Sequence, residues 1–290
     1  MSRDLGIIGI SISESDDLNE LGLSDAHLKD AMTEMARYVL AAGSSLAYGG
    51  DMRKDGFTRL MFDLIKYYRN EEDMPARRFY SYLAWPISLT LTEEDEISLI
   101  DKVTFKRVPP PEDIGIREKD KFLAPDTPAN SYIWARCLSS MREEMANQCF
   151  AHVFIGGRAK GFKGKCPGVL EEVLIAIEKK HPVYVAGAFG GISHAICQAL
   201  QGYQPGILTK EYQLKDPSYS ALYDLYNGMM PRDPIDYNKH LGAFAEWGIH
   251  GLSAANGLSP DENIRLSITP HIQEIVYLVL KGIYQKKNHS

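Results

Sequence analysis

Two groups of residues have the types and spacing for chemistry. The first is the stretch 156–172, which opens Gly156-Gly157-Arg158 and closes Pro167-Gly168-Val169-Leu170-Glu171-Glu172. Its glycine-rich loop carries Arg158, Lys160, Lys163 and Lys165 and then meets a helix start at Pro167-Gly168. Free N–H groups and the macrodipole make a helix N-terminus attractive to anions. Glycine lets that backbone approach a ligand with no Cβ in the way. Glu171 and Glu172 fall in the first turn, either as ordinary dipole partners or as carboxylates for acid–base work. The second group centres on Arg142. Its neighbours three and four positions away are Leu138, Ser139, Met145 and Ala146, none of them acidic. Arg142 is therefore without a salt-bridge partner on its own helix. It is expected on the inner side of that helix, with a guanidinium free to take a phosphate; a surface arginine is the competing reading.

The elements that must position these residues alternate. Residues 5–12 are a short apolar run suited to a buried strand. A helix follows from Ser24 to Gly43, with Leu28, Met32, Met35 and Val39 at helical spacing. Further strands are expected at 46–48, 79–85, 151–155 and 182–186, and helices at 57–68, 129–149, 168–180 and 192–200. Such alternation predicts an α/β fold: a Rossmann-like open parallel sheet with helices on both faces. The glycines Gly9, Gly49-Gly50, Gly156-Gly157 and Gly187 with Gly190-Gly191 are expected at the carboxyl ends of strands. Ligands bind there in open sheets, although turns alone also use glycine.

Residues 1–202 are expected to form the nucleotide-binding domain. Within it, 90–128 is a polar segment with Pro109-Pro110-Pro111, expected as a surface insertion or lid. Residues 203–290 are expected as a helical C-terminal extension, although 203–240 lacks a clear period. Two helix starts stand out there. Ser259-Pro260-Asp261-Glu262 is a capping box, and Thr269-Pro270 precedes an apolar stripe of Ile272, Ile275, Val276, Val279, Leu280 and Ile283 that must dock on the sheet or on another subunit.

Composition narrows the function. The formal net charge is -6, which argues against a dedicated duplex-binding protein. No apolar run is long enough to span a membrane, and the N-terminus has no signal-peptide pattern. Four scattered cysteines fit reduced thiols in a cytoplasmic protein, and no spacing calls for a metal or other cofactor. There is no P-loop, and no G-x-G-x-x-G follows the first strand.

Tyr48-Gly49-Gly50 with Gly56, then Met141-Arg142-Glu143, then Pro167-Gly168-Val169-Leu170-Glu171-Glu172 and Gly187-x-x-Gly190-Gly191 resemble the SLOG superfamily. That superfamily includes the LOG nucleotide phosphoribohydrolases, the DprA/Smf proteins and sensor domains of bacterial antiphage systems. The resemblance covers roughly residues 5–200. Asn256-Gly257-Leu258 with Glu262-Asn263 looks like the tail of the defence-associated branch. LOG enzymes carry P-G-G-x-G-T-x-x-E after a helix with a catalytic arginine. The resemblance implies that Arg142 and Glu172 are catalytic. It also implies a nucleotide or ADP-ribose-like ligand held by Gly9, Ser11, Gly49, Gly50, Asp51, Arg53, Gly156, Gly157, Arg158, Lys165, Gly168, Val169, Glu171 and Gly190. This sequence departs from the pattern in its cationic insertion and in Val169, which lacks the threonine hydroxyl. Hydrolysis of an N-glycosidic bond and non-catalytic sensing through a homo-oligomer or a defence partner are both expectations; single-strand DNA binding is a weaker third.

Overall fold

The computed structural model describes residues 5–50, 52–53, 56–67 and 79–289. Alternating apolar residues build the centre. In β1 (Ile7–Ser13), Ile8, Ile10 and Ile12 point to one face, and Gly9, Ser11 and Ser13 point to the other. α1 (Asp25–Ala41) follows, with Ser24 at its N-cap, and it ends at Gly43, whose φ is 89°. Next come β2 (Ser45–Gly49), α2 (Phe57–Tyr67), β3 (Phe79–Ala84), α3 (Glu93–Leu99) and β4 (Val103–Val108). The chain continues through α4 (Pro128–Gln148), β5 (Ala151–Gly156), α5 (Gly168–Glu178), β6 (Val183–Ala186) and α6 (Gly191–Leu200). Five helices close it: α7 (Lys210–Gln213), α8 (Pro217–Met229), α9 (Tyr237–Asn256), α10 (Pro260–Ile268) and α11 (Ile272–His289).

The six strands form one sheet in the order β4-β3-β2-β1-β5-β6, parallel throughout. The chain steps outward from β1 to β4 and then returns to the other side of β1 with β5. The crevice at the carboxyl ends of β1 and β5 is therefore the topological switch point, where open sheets take ligands. The register Ser13↔Gly156 brings the two strand ends level.

Helices cover both faces. Ile8, Ile10 and Ile12 share a core with Leu28, Met32 and Val39 of α1 and with Ile275, Val279 and Ile283 of α11. On the opposite face Met141 and Met145 of α4 pack on Ala47 and Tyr82. Beside them Leu170 and Val173 of α5 join Phe154, Val183 and Val185, and α8 and α9 close that layer through Leu222, Tyr226 and Phe244. The apolar stripe of α11 thus docks within its own chain.

Two expectations are corrected, on 90–128 and on Gly9, and the helices within 203–240, where no period is visible in the sequence, are located. Residues 90–128 are no bare insertion: α3 lies there, and β4 adds an edge strand to the sheet. The end of this segment is fastened by two indole donors, Trp85 Nε1 to the Lys119 carbonyl and Trp134 Nε1 to the Leu123 carbonyl, each at 2.7 Å. Residues 203–240 contain α7, α8 and the start of α9. Tyrosine-rich helices hide an apolar period because the rings are buried while the residue type counts as polar. Gly9 lies inside β1, paired with Ala47 and His152, and not at a strand end. A Cβ there would stand 2.7 Å from Nδ1 of His152, a buried imidazole stacked on His181 and pushed down to about 3 by burial.

Candidate functional site

Ser11, Arg142, Glu171 and Glu172 meet at the switch point, each delivered by a different logic. Ser11 lies on the α4/α5 side of β1 by strand alternation. Ser139 and Arg142 lie three apart on α4, hence on one helix face. Glu171 and Glu172 stand in the first turn of α5, which starts at Pro167-Gly168 as the sequence predicts.

Arg142 is 9% exposed, so the inward reading holds. Its guanidinium is not free, however. Nη1 donates to Glu171 Oε2, and Nε donates to Glu172 Oε1 at 3.3 Å. The partners come from α5, which an inspection of Arg142's own helix cannot reveal. Burial works against the charge on Arg142, but Glu171 and Glu172 outweigh it and hold its pKa above the ordinary value. The guanidinium also needs two glycines. A Cβ on Gly164 would lie 2.7 Å from Nη1, and one on Gly168 would lie 2.8 Å from Nη2.

Glu171 is 2% exposed and accepts a further hydrogen bond from Ser139 Oγ. Glu172 accepts from Ser11 Oγ. Burial lifts the Glu172 pKa above its ordinary value. The charge of Arg142 and the Ser11 hydrogen bond pull it down only partly, and Glu171 adds to the rise. One cation therefore faces two carboxylates in a buried cluster. A buried carboxylate whose pKa is raised is a stronger base than an ordinary one and is suited to accept a proton from water.

The rim of the crevice is made of glycine turns. Gly156 and Gly157 leave β5 with φ of 66° and 116°, and Gly190 and Gly191 enter α6 with φ of 71° and 57°. These positive values are open to glycine and strained for other residues. Gly157 N donates to the Ser13 carbonyl at 3.0 Å, and Ile192 N to the Gly157 carbonyl at 3.0 Å, which stitches β1, β5 and α6 together. The N-terminus of α6 is already capped: Gly191 N donates to Asp17 Oδ1 at 2.9 Å. Ser15 Oγ is buried beside it with no hydrogen-bond partner among the described residues.

The other sequence candidates separate. Arg158 pairs with Glu14 at 2.9 Å, on the rim. Lys165 pairs with Asp233 at 3.3 Å and lines a cavity of about 510 Å³ together with Glu171 and His240. Burial opposes the charge on Lys165, but Glu171 and its other neighbours hold its pKa above the usual ammonium value. Val169 packs against Gly157, leaving an apolar wall where the LOG pattern has a hydroxyl. Gly49 and Gly50 serve packing: a Cβ on Gly49 would stand 2.8 Å from Met141 Sδ, and one on Gly50 would run into the Tyr48 ring. Arg53 is exposed, and Asp51 lies outside the described residues.

Sequence reasoning missed Ser139, Gly164 and Asp17. Ser139 carried a usable signal, its i,i+3 relation to Arg142; the other two depend on contacts between distant segments. The resemblance at Asn256 and Asn263 has a structural content. Asn256 is fully buried, its Nδ2 donates to the Val183 carbonyl and to Asn263 Oδ1, both at 2.8 Å, and its own carbonyl accepts from Tyr184 OH at 2.8 Å. These residues fasten the end of α9 to β6.

No curated protein matches the chain. The family model described as SLOG cluster2 matches residues 4–266, a span that runs through the sheet, the Arg142–Glu171–Glu172 cluster and most of α10. The chain belongs to the SLOG cluster2 family, and so to the SLOG superfamily.

Proposed function

We propose that the protein binds a nucleotide or an ADP-ribose-like molecule in the crevice between β1 and β5 and hydrolyses its N-glycosidic bond. The observation that carries this reading is the Glu172 carboxylate, buried at the switch point, raised in pKa and oriented from two sides by Ser11 and Arg142. With the ribose C1′ beside Glu172, the carboxylate accepts a proton from water as the water oxygen bonds to C1′. The C1′–N bond breaks, its electron pair goes to the base nitrogen, and solvent supplies the proton. The ribose passes through oxocarbenium character, which an adjacent carboxylate stabilises. Superfamily membership supports a nucleotide-type ligand.

A second reading is a sensor that holds such a ligand intact and signals by self-association or through a defence partner. It is favoured by one observation: Nη1 and Nε of Arg142 are engaged by carboxylates, and Val169 offers no hydroxyl, which leaves fewer donors for a phosphate than the LOG pattern has. In either reading the protein works where nucleotides are abundant and thiols stay reduced, as in the cytoplasm. All four cysteines are free and buried, and no helix among the described residues is long and apolar enough to cross a membrane.

Incubation with NAD and a panel of nucleoside monophosphates, followed by chromatography for released base, separates the two readings. Hydrolysis predicts base release that falls by about 10²–10⁴-fold in Glu172→Ala. Tight binding with all ligand recovered intact would establish the sensor instead.

A further inference from the structure

The four cations of the 156–168 loop meet different ends. Arg158 and Lys165 are taken by Glu14 and Asp233. Lys160 makes no ion pair with any described residue. Its Nζ stands over the ring of Tyr212, 5.6 Å from the centroid, and Lys215 Nζ reaches the same ring at 5.5 Å. Two ammonium groups are thus gathered about one ring. Lys215 is also without a carboxylate partner among the described residues, as is Lys210, whose Nζ lies 5.0 Å from the Tyr223 centroid.

A pocket of about 270 Å³ lies at this point, walled by Lys160, Phe162, Tyr212, Lys215, Asp216 and Tyr219. Asp216 is its only carboxylate among the described residues, and Oδ1 is occupied as the N-cap of α8, accepting from Ser218 N at 2.9 Å and Tyr219 N at 3.4 Å. The Tyr219 hydroxyl is likewise committed, to the Lys165 carbonyl and to Tyr237 OH, both at 2.6 Å. The wall thus carries two ammonium groups against one carboxylate and is positive in sum. A ring face returns only about 0.5–1 kcal/mol to an exposed cation, and neither lysine forms an ion pair with a described carboxylate.

We propose that this pocket is a second anion site, separate from the Arg142–Glu171–Glu172 cluster, and that it takes the phosphoryl group of a small phosphate ester. Lys160 and Lys215 supply point charges from two segments, as ammonium groups do for tetrahedral oxyanions. The Phe162 and Tyr219 rings, 4.8 Å apart, form an apolar wall for the organic part of the ester. The site exists only because the C-terminal segment 212–219 is folded against the glycine-rich loop.

Titration calorimetry of the full chain with inorganic pyrophosphate and with AMP at low salt tests this. Pyrophosphate is expected to bind the wild type and Glu172→Gln equally, and to bind Lys160→Ala/Lys215→Ala more weakly by at least about tenfold. Lys160→Arg/Lys215→Arg is expected to retain binding, and thermal unfolding checks that each variant is folded. Three results would overturn the proposal: no pyrophosphate binding by the wild type, binding indifferent to the double alanine change, or binding lost in Glu172→Gln instead. An oligothymidylate that binds more tightly than either probe, and loses that binding in the double alanine variant, would also overturn it by reassigning the lysines to a nucleic-acid backbone.

Discussion

Glu172 and Arg142 show how far a charge depends on its company. Among the described residues Arg142 is the one cation ion-paired with Glu171 and Glu172, so Arg142→Ala leaves Glu172 unpaired and Glu171 with only the nearby charge of Lys165. The expected cost is about 3–5 kcal/mol, read as a lower urea midpoint, because breaking a buried pair strands its partner. Glu172 behaves in the opposite sense. Its folded pKa lies above the ordinary value of 4.5, so the folded state binds its proton more tightly than the unfolded chain does. Stability is then fullest in acid and falls as pH rises from the ordinary value through the raised one. Glu172→Gln carries no such proton. Its melting temperature is expected to match the wild type in mild acid and to exceed it increasingly toward neutral pH, while base release is lost. A constant offset between the two melting curves at all pH values would contradict this account. At this scale the sequence singled out Arg142 and Glu172, and the structure places them in contact. It did not show their ion pair, because helix spacing reports only contacts within one helix.

At the scale of elements, glycine does two jobs that sequence alone blends together. Gly9 and Gly49 are small so that His152 and Met141 can come close. Gly157 and Gly190 adopt backbone angles that other residues resist. Gly157→Ala adds a Cβ 3.0 Å from both Ile192 and Val169 at a φ of 116°, and is expected to destabilise by about 2 kcal/mol. The Asn256 fastening is a second element-level device. Asn256→Ala removes hydrogen bonds from the Val183 carbonyl, Asn263 and Leu258 N, all within the interior. Leaving such groups unpaired is expected to lower stability by on the order of 3 kcal/mol, measured by urea denaturation. Capping was legible at α10: Ser259 and Glu262 exchange backbone bonds at 3.2 and 2.9 Å as the capping box predicts. The helix α8 was overlooked although Asp216-Pro217 is an equally good start, with Asp216 capping and proline at the first position.

The whole molecule is one sheet with its C-terminal helices built into both covering layers. α11 contributes Ile275, Val279 and Ile283, each at most 1% exposed, to the same core as β1 and α1. Burying such a side chain is worth about 1.5–3 kcal/mol, and domains have only about 5–15 kcal/mol in total. A chain ending at Thr269 is therefore expected to lose cooperative unfolding altogether; a sharp two-state melt of that truncation would refute the packing argument. The family match, which runs to residue 266, likewise crosses the boundary drawn at 202 from periodicity. Strand order matters at this scale as well. Because β5 returns to the side of β1 opposite β2, the glycine turns, Ser11 and the first turn of α5 converge on one crevice.

The sequence by itself determined much of the local physics: most of the strands, several helix starts, that helices alternate with strands, and that Arg142 has no partner on its own helix. These follow from periodicity, capping and charge, all of which act over a few residues. The tertiary structure alone decided which charges meet. It paired Arg142 with Glu171 and Glu172, gave Arg158 to Glu14 and Lys165 to Asp233, and left Lys160 beside Lys215 over one ring. Ion pairing falls off within a few ångströms, and contacts at that range between residues 29 to 144 positions apart are set by strand order and helix packing, which no local spacing encodes.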